Sequence, residues 1–487
     1  MNPGLILVSF LIYTAIIFII ARITSRKADN QSFFIGNKKS PWFVVAYGMI
    51  GASLSGVTFI SIPGWVGETG FSYFMIVLGY FAGYAVITLV LLPLYYKLNL
   101  TSIYTYLGER FGNSTYKTGA SFFLISRIVG ASFRMFLVVS ILQTFVFDYY
   151  GIPFWLTVTL FILLIELYTM KGGIKTIVWT DTLQTTFMLL AVIITIVIIL
   201  QQMNIGLPDM ISLVRKSDYS KIIDTDINSP RFFLKQFFAG MFITIVMTGL
   251  DQDMMQKNLS CRNLKDAQKN MTTLSLVLVP VNLIFLFLGA VLFIYAGNFQ
   301  IALPALSDHV FPAIALGKLG VVAGIVFIIG LISAAYSSAD SALTALTTSF
   351  SIDILALDKK YSHNEPLLKK KRKQVHIVMA VIIIFVILIF KLINNQAVIQ
   401  QLFTFAGYTY GPLLGLYTFG LFSKKGVFDK WVPMVAIAAP VFTFVISFLT
   451  ERLFPGFKFG FELLIVNGIL TIIFLFLISK PIIKTNS

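Results

Sequence analysis

The sequence predicts an all-α protein that crosses a membrane about thirteen times, and three observations point there. Hydrophobic residues make up 57% of the 487 and charged residues 12%, where an ordinary soluble domain carries about 25% charged. The charges are also segregated: 37 Lys and Arg with 21 Asp and Glu, spread evenly, would interrupt the chain about every eight positions. Many stretches instead run past ~18 residues with none, the length needed to span a bilayer core. Sorting Lys and Arg by loop gives two unequal sides, as expected of a polytopic membrane protein. A soluble globular enzyme is excluded.

Apolar runs bounded by charged residues or by Pro and Gly place helices near 3–22, 42–66, 72–99, 118–146, 152–170, 177–201, 232–256, 272–297, 319–348, 375–394, 398–421, 432–450 and 460–480. The first run opens on Met1-Asn2-Pro3-Gly4 with no positive charge, and Arg22, Arg26 and Lys27 follow it. That order predicts an uncleaved helix with its N-terminus outside rather than a signal peptide. Alternating the loops from this start puts 26 of the 37 Lys and Arg on the cytoplasmic side, 9 outside and 2 within spans, an N-out, C-in topology. The longest external loop, 202–231, has four acidic and four basic residues and reads as an exposed cap.

The formal net charge of +16 is what positive-inside loops produce, so no nucleic-acid partner is expected; the partner read from the pattern is the lipid bilayer. The run Lys369–Lys373 resembles a nuclear localisation signal but falls in a cytoplasmic loop, where it anchors the topology. Sequons at Asn113, Asn258 and Asn270 face the same side and are not expected to be glycosylated. A single cysteine, Cys261, rules out an internal disulfide, and His309, His363 and His376 all lie away from mid-span. With so few nitrogen and sulfur ligands, neither a zinc or haem centre nor an organic cofactor is expected.

Spans two to six form one set of five and spans seven to eleven another. Five is odd, so consecutive sets enter the membrane from opposite faces and become inverted repeats, an architecture of secondary transporters. The resulting division is 1–31 (an extra helix and linker), 32–201 (first repeat), 202–231 (external loop), 232–421 (second repeat) and 422–487 (two further helices). The first helix of each repeat carries weakening residues at mid-span: Gly48, Gly51, Ser53, Ser55 and Gly56 in one, Gly240 and Gly249 in the other. Such residues either break a helix around a binding site or let helices pack closely; composition leaves both readings open.

An ionisable group at the bilayer centre costs roughly 2.5–3.5 kcal/mol on insertion scales, so each needs a partner or a function. Five inside predicted spans stand out: Arg127, Arg134, Glu166, Asp181 and Asp340. The oxygens of Asp181, Asp340, Ser337, Ser338 and Ser341 suit a small hard cation. Glu166 reads as the charge partner of Arg127. Arg134, about 10.5 Å further along the same helix face, has three fates open to it: a substrate carboxylate, a carboxylate of the protein, or the outer interface.

Several ordered motifs then coincide. Trp179-Thr180-Asp181 following Gly172-Gly173, Gln252-Asp253-Met254-Met255-Gln256-Lys257-Asn258-Leu259, and Ala334-Ala335-Tyr336-Ser337-Ser338-Ala339-Asp340-Ser341 with Asp353-Ile354 together resemble the sodium:solute symporter family. The match runs from Phe33-Phe34-Ile35-Gly36 through span eleven. The resemblance implies a LeuT-like fold of two inverted five-helix repeats, with one helix ahead and two behind. It implies a main sodium site of carbonyls and hydroxyls at Gly51, Leu54, Ala334, Ser337 and Ser338. A second cation site of some members falls at Asp181, Asp340 and Ser341, where Asp340 replaces a family hydroxyl. Thr58-Phe59-Ile60-Ser61-Ile62-Pro63 is similar to the bacterial sialic acid symporters, which implies solute hydroxyl contacts at Ser53, Ser55 and Thr58. The branch's site glutamine corresponds to Gly79 here and its substrate arginine does not align exactly with Arg134 or Arg127, so Gly79 by position and Arg134 by its depth in the helix complete the expected solute set.

The expected function is sodium-coupled import of a small polar organic solute (a sugar, an acidic sugar such as sialic acid, or a carboxylate) by alternating access in a bacterial inner membrane, with sodium as the coupling ion. Proton coupling through Asp181 and Asp340, or a sensor without net flux, are the rival readings. A membrane enzyme is not expected, since no nucleophile–base pair lies near the midplane. Nothing in the pattern specifies an oligomeric state.

Overall fold

The computed structural model describes residues 3–26, 28–393, 398–454 and 456–481. Its main elements are α1 (Pro3–Thr24), α2 (Trp42–Thr69), α3 (Tyr73–Lys97), α4 (Asn113–Tyr150), α5 (Phe154–Gly172) and α6 (Ile174–Met203). Then come two half-helices bent by 62°, α7 (Phe233–Gly249) and α8 (Gln252–Leu259), and α9 (Leu264–Asn298), α10 (Val321–Ile354) and α11 (Glu365–Ile393). The last three are α12 (Val398–Phe422), α13 (Asp429–Leu453) and α14 (Leu463–Leu477). Ten of the described helices are long and apolar enough to cross a membrane, or eleven with the bent pair as one span. The other two expected spans, 398–421 and 460–480, are helical as α12 and as the 15-residue α14. Residue 394, the last of the tenth expected span, lies outside the described residues, as does the tail from 482.

Helices α2, α6 and α10 pack on one another, and α2 also packs on α9; α7 packs on α3, and α12 on α4 and α14. Helix α2 is buried on nearly every side. Outer faces carry exposed apolar side chains such as Leu89, Phe385 and Ile437, and in a membrane lipid covers them. The 202–231 loop carries an exposed helix, Leu207–Lys216, that buries only Met210 and Val214. A two-residue antiparallel pairing, Gly426–Val427 with Ser479–Lys480, joins the α12–α13 turn to the end of α14.

Both mid-span readings hold, at different residues. The glycines are packing positions: a Cβ on Gly48 would lie 3.0 Å from Asp181 Cβ, on Gly51 3.2 Å from Thr185 Cα, and on Gly240 2.9 Å from the Ile76 carbonyl carbon. The breaks are elsewhere. In α2 the chain turns at Ser55, with φ 39° and ψ 172°, a left-handed backbone that a non-glycine residue adopts only under constraint. Between α7 and α8 the break is Leu250–Asp251, preceded by a wide π-turn at Ile245–Gly249.

A broken helix in lipid must satisfy the backbone groups that it frees. At the second break two tyrosines do so: Tyr95 Oη donates to the Gly249 carbonyl at 2.8 Å and Tyr104 Oη to that of Leu250 at 2.9 Å. Asp251 caps α8 by accepting from the Asp253 amide at 2.9 Å. Gln252 accepts from the Ile103 amide at 3.0 Å and donates to the Thr101 carbonyl at 2.8 Å, which holds the break against the α3–α4 connection.

Candidate functional site

The break at Ser55 opens onto a cavity between α2, α3, α4, α7, α9 and α12. Its polar wall contains Ser53, Ser55, Thr58, Tyr84, Arg127 and Arg134. Leu54, the last residue before the break, also lines it. Four of the five expected solute positions therefore meet in one place. Gly79 does not: it is buried against α7, where a Cβ would fall 2.1 Å from the Phe237 carbonyl oxygen. Its missing side chain permits helix contact, and the tyrosines one and five residues on, Tyr80 and Tyr84, face the cavity from α3 instead.

The two arginines of α4 have different surroundings. Arg127 is ion-paired with Asp253, and its guanidinium lies 3.8 Å from Asp251. Asp251 also accepts from Tyr410 Oη at 2.5 Å. Arg134 has no carboxylate within ion-pairing distance among the described residues, and its buried Nε has no hydrogen-bond partner. It lines the cavity with that charge unmatched.

The Arg127–Glu166 pairing expected from sequence is replaced. Glu166 on α5 lies 3.4 Å from His376 Nε2 of α11, a nitrogen that also lies 3.0 Å from Thr169 Oγ1. His376 Nδ1 is 2.7 Å from Thr347 Oγ1 of α10. Arg127 instead meets carboxylates brought into the bundle by the α7–α8 break.

Behind the cavity, α2, α6 and α10 form an oxygen-rich seam. The Gly51 amide donates to Thr185 Oγ1 at 3.1 Å, and Ser338 Oγ donates to the Ala334 carbonyl at 3.0 Å. Ser337 Oγ donates to Asp181 Oδ1 at 2.7 Å, and the other oxygen of Asp181 receives Lys257 Nζ at 2.7 Å. Asp340 Oδ2 accepts from Tyr168 Oη at 2.8 Å, and its Oδ1 lies 3.3 Å from Ser341 Oγ. All of Asp181, Lys257, Ser337, Ser338, Asp340 and Ser341 are at most 1% exposed. Carbonyls and hydroxyls at such spacing can replace the water of a small hard cation.

The sequence reading overlooked Asp251, Asp253 and Lys257. The signal was present, since all three lie in or beside the 252–259 motif, but a continuous span would put that motif at the cytoplasmic edge. The break turns it back into the bundle.

Residues 33–427 match the sequence model of the sodium:solute symporter family. The chain belongs to that family. Among the relatives of this symporter, the sodium/sialic acid symporter SiaT of Proteus mirabilis is 24% identical over 419 residues, 82% of this chain and 81% of the relative. The sodium/sialic acid symporter NanT of Aliivibrio fischeri is 24% identical over 475 residues, 95% of this chain and 90% of the relative. A solved substrate-bound, outward-open Na+-coupled sialic acid symporter superposes with a TM-score of 0.83 at 20% identity, covering 98% of this symporter and 99% of that chain. A closed-state nucleobase-cation-symport-1 transporter gives 0.59 at 16% identity, covering 91% and 92%. The symporter has the LeuT-like fold, a multi-span membrane transporter architecture.

Proposed function

We propose that this symporter imports a polar solute bearing a carboxylate, in the class of sialic acids and other acidic sugars, together with sodium, across a bacterial cytoplasmic membrane with its N-terminus outside. The observation that carries the solute class is Arg134: a guanidinium in the cavity without a protein carboxylate in ion-pairing distance among the described residues, on the helix whose other buried arginine is ion-paired with Asp253. A planar fork in a low-dielectric cavity favours a carboxylate through a bidentate pair, and Ser53, Ser55 and Thr58 offer hydroxyls to the rest of the solute. Sodium takes the carbonyls of Gly51, Leu54 and Ala334 and the hydroxyls of Ser337 and Ser338. Its binding stabilises the turn at Ser55, which completes the adjacent solute site. The loaded core then rocks against the scaffold and releases both ligands inside, with no bond made or broken in the solute.

The test uses proteoliposomes, with N-acetylneuraminic acid and its neutral methyl ester as solutes, under a sodium gradient alone and a pH gradient alone. The expected result is sodium-driven uptake of the acid over the ester, lost in Arg134→Gln. Equal uptake of acid and ester, or normal acid uptake in Arg134→Gln, refutes the acidic-solute reading; uptake driven by the pH gradient alone refutes sodium coupling.

A further inference from the structure

Lys257 is a fully buried cation, 1% exposed, whose ammonium lies 2.7 Å from Asp181 Oδ2. The other oxygen of Asp181 accepts the Ser337 hydroxyl proton at 2.7 Å. Thus a protein ammonium, a carboxylate and the hydroxyl assigned to sodium are joined in succession within the seam. We infer that Lys257 is the fixed counter-ion of Asp181, so that Asp181 orients Ser337 for the main sodium rather than ligating a second sodium, and that the symporter binds one sodium per cycle. The inference rests on the main sodium site proposed above.

Three points of chemistry support it. A hydroxyl that gives its proton to a carboxylate turns its lone pairs away from that carboxylate, which readies it as a cation ligand. A carboxylate already in contact with an ammonium has little attraction left for a second small cation, which would have to displace Lys257 or approach it closely without solvent screening. The remaining carboxylate of the seam, Asp340, has hydroxyls against both oxygens, Tyr168 on one and Ser341 on the other. Lys257 is also carried by α8, the half-helix created by the second break, while Asp181 is on α6 of the first repeat. The ion pair therefore links the two repeats directly behind the sodium ligand, and Asp181 is a positioning residue.

Equilibrium binding of radioactive sodium to the purified full chain, with no solute present, tests this. The parent protein is expected to bind one ion. Asp181→Asn should weaken that binding about 10- to 100-fold, the usual loss when a residue that orients a metal ligand is removed. Lys257→Met should raise the count to two by freeing the Asp181 carboxylate. Lys257→Arg keeps the counter-ion and should keep the count at one, and the Asp181→Asn/Lys257→Met pair should bind more tightly than Asp181→Asn alone. Two ions in the parent, with the count unchanged in Lys257→Met, overturn the inference while leaving the main site standing. One ion in the parent with full affinity in Asp181→Asn removes the positioning role. No sodium bound by the parent overturns the site assignment itself, and the inference with it.

Discussion

Arg127 of α4 reaches across the bundle to Asp253 of α8 and shares its charge with Asp251, which is itself held by Tyr410 of α12. A single guanidinium thus ties three elements together at the edge of the solute cavity. Removing one partner of a buried pair strands the other charge, which costs about 3–5 kcal/mol in soluble proteins. Arg127→Met is therefore expected to lower the unfolding temperature in detergent sharply. Adding Asp253→Leu should recover part of the loss, and equal instability of single and double variants would refute the coupling.

Gly79 makes a second, purely steric prediction. A methyl group there would meet the Phe237 carbonyl oxygen at 2.1 Å, so Gly79→Ala must push α3 away from α7 at an overpacking cost of about 1–3 kcal/mol. Thermal unfolding should register it, and a solute contact at this position is not expected. A change in solute affinity with stability intact would restore Gly79 to the binding site.

Ser338 lies one residue beyond the hydroxyl that Asp181 orients, and its own proton is given to the Ala334 carbonyl at 3.0 Å. Ser338→Ala removes one proposed sodium ligand without leaving a buried charge. Half-saturating sodium for uptake should rise about tenfold, equivalent to ~1.4 kcal/mol. An unchanged sodium response would remove Ser338 from the site.

The lone native thiol, Cys261, is buried, which makes introduced cysteines selectively readable. Thr58→Cys places a thiol on the cavity wall. Its alkylation is expected to slow when sodium and N-acetylneuraminic acid are both present. Protection by neither would show that residue 58 lies outside the transport site.

Much of this arrangement was legible from residue order. Helices were visible as apolar runs, and the small residues drew attention to the two spans that break, but they did not separate breaking from packing: the glycines pack, and the breaks fall at Ser55 and at Leu250–Asp251. Charge partners were not legible. Glu166 and Arg127 lie on neighbouring spans and look complementary, yet Arg127 pairs with Asp253 and Glu166 sits beside the His376 imidazole, both on elements distant in sequence. Lys257 was hidden for a related reason: its depth depends on a 62° bend, and a bend angle is set by tertiary contacts such as those of Tyr95 and Tyr104, not by the local sequence.

The two breaks also differ electrically. Cutting a helix leaves a carbonyl end with about half a negative charge beside an amide end with about half a positive one. At Gly249 and Leu250 tyrosine hydroxyls cover the negative end. Among the described residues no side-chain donor is hydrogen-bonded to the carbonyls of Gly51 or Leu54. The two breaks therefore differ in side-chain cover, with tyrosine hydroxyls on the carbonyls of the second and no side-chain donor on those of the first among the described residues. At the sodium site proposed above, the carbonyl end beside Ser55 favours a cation and the adjoining amide end an anion, so a single turn supplies a backbone field with the polarity of a salt.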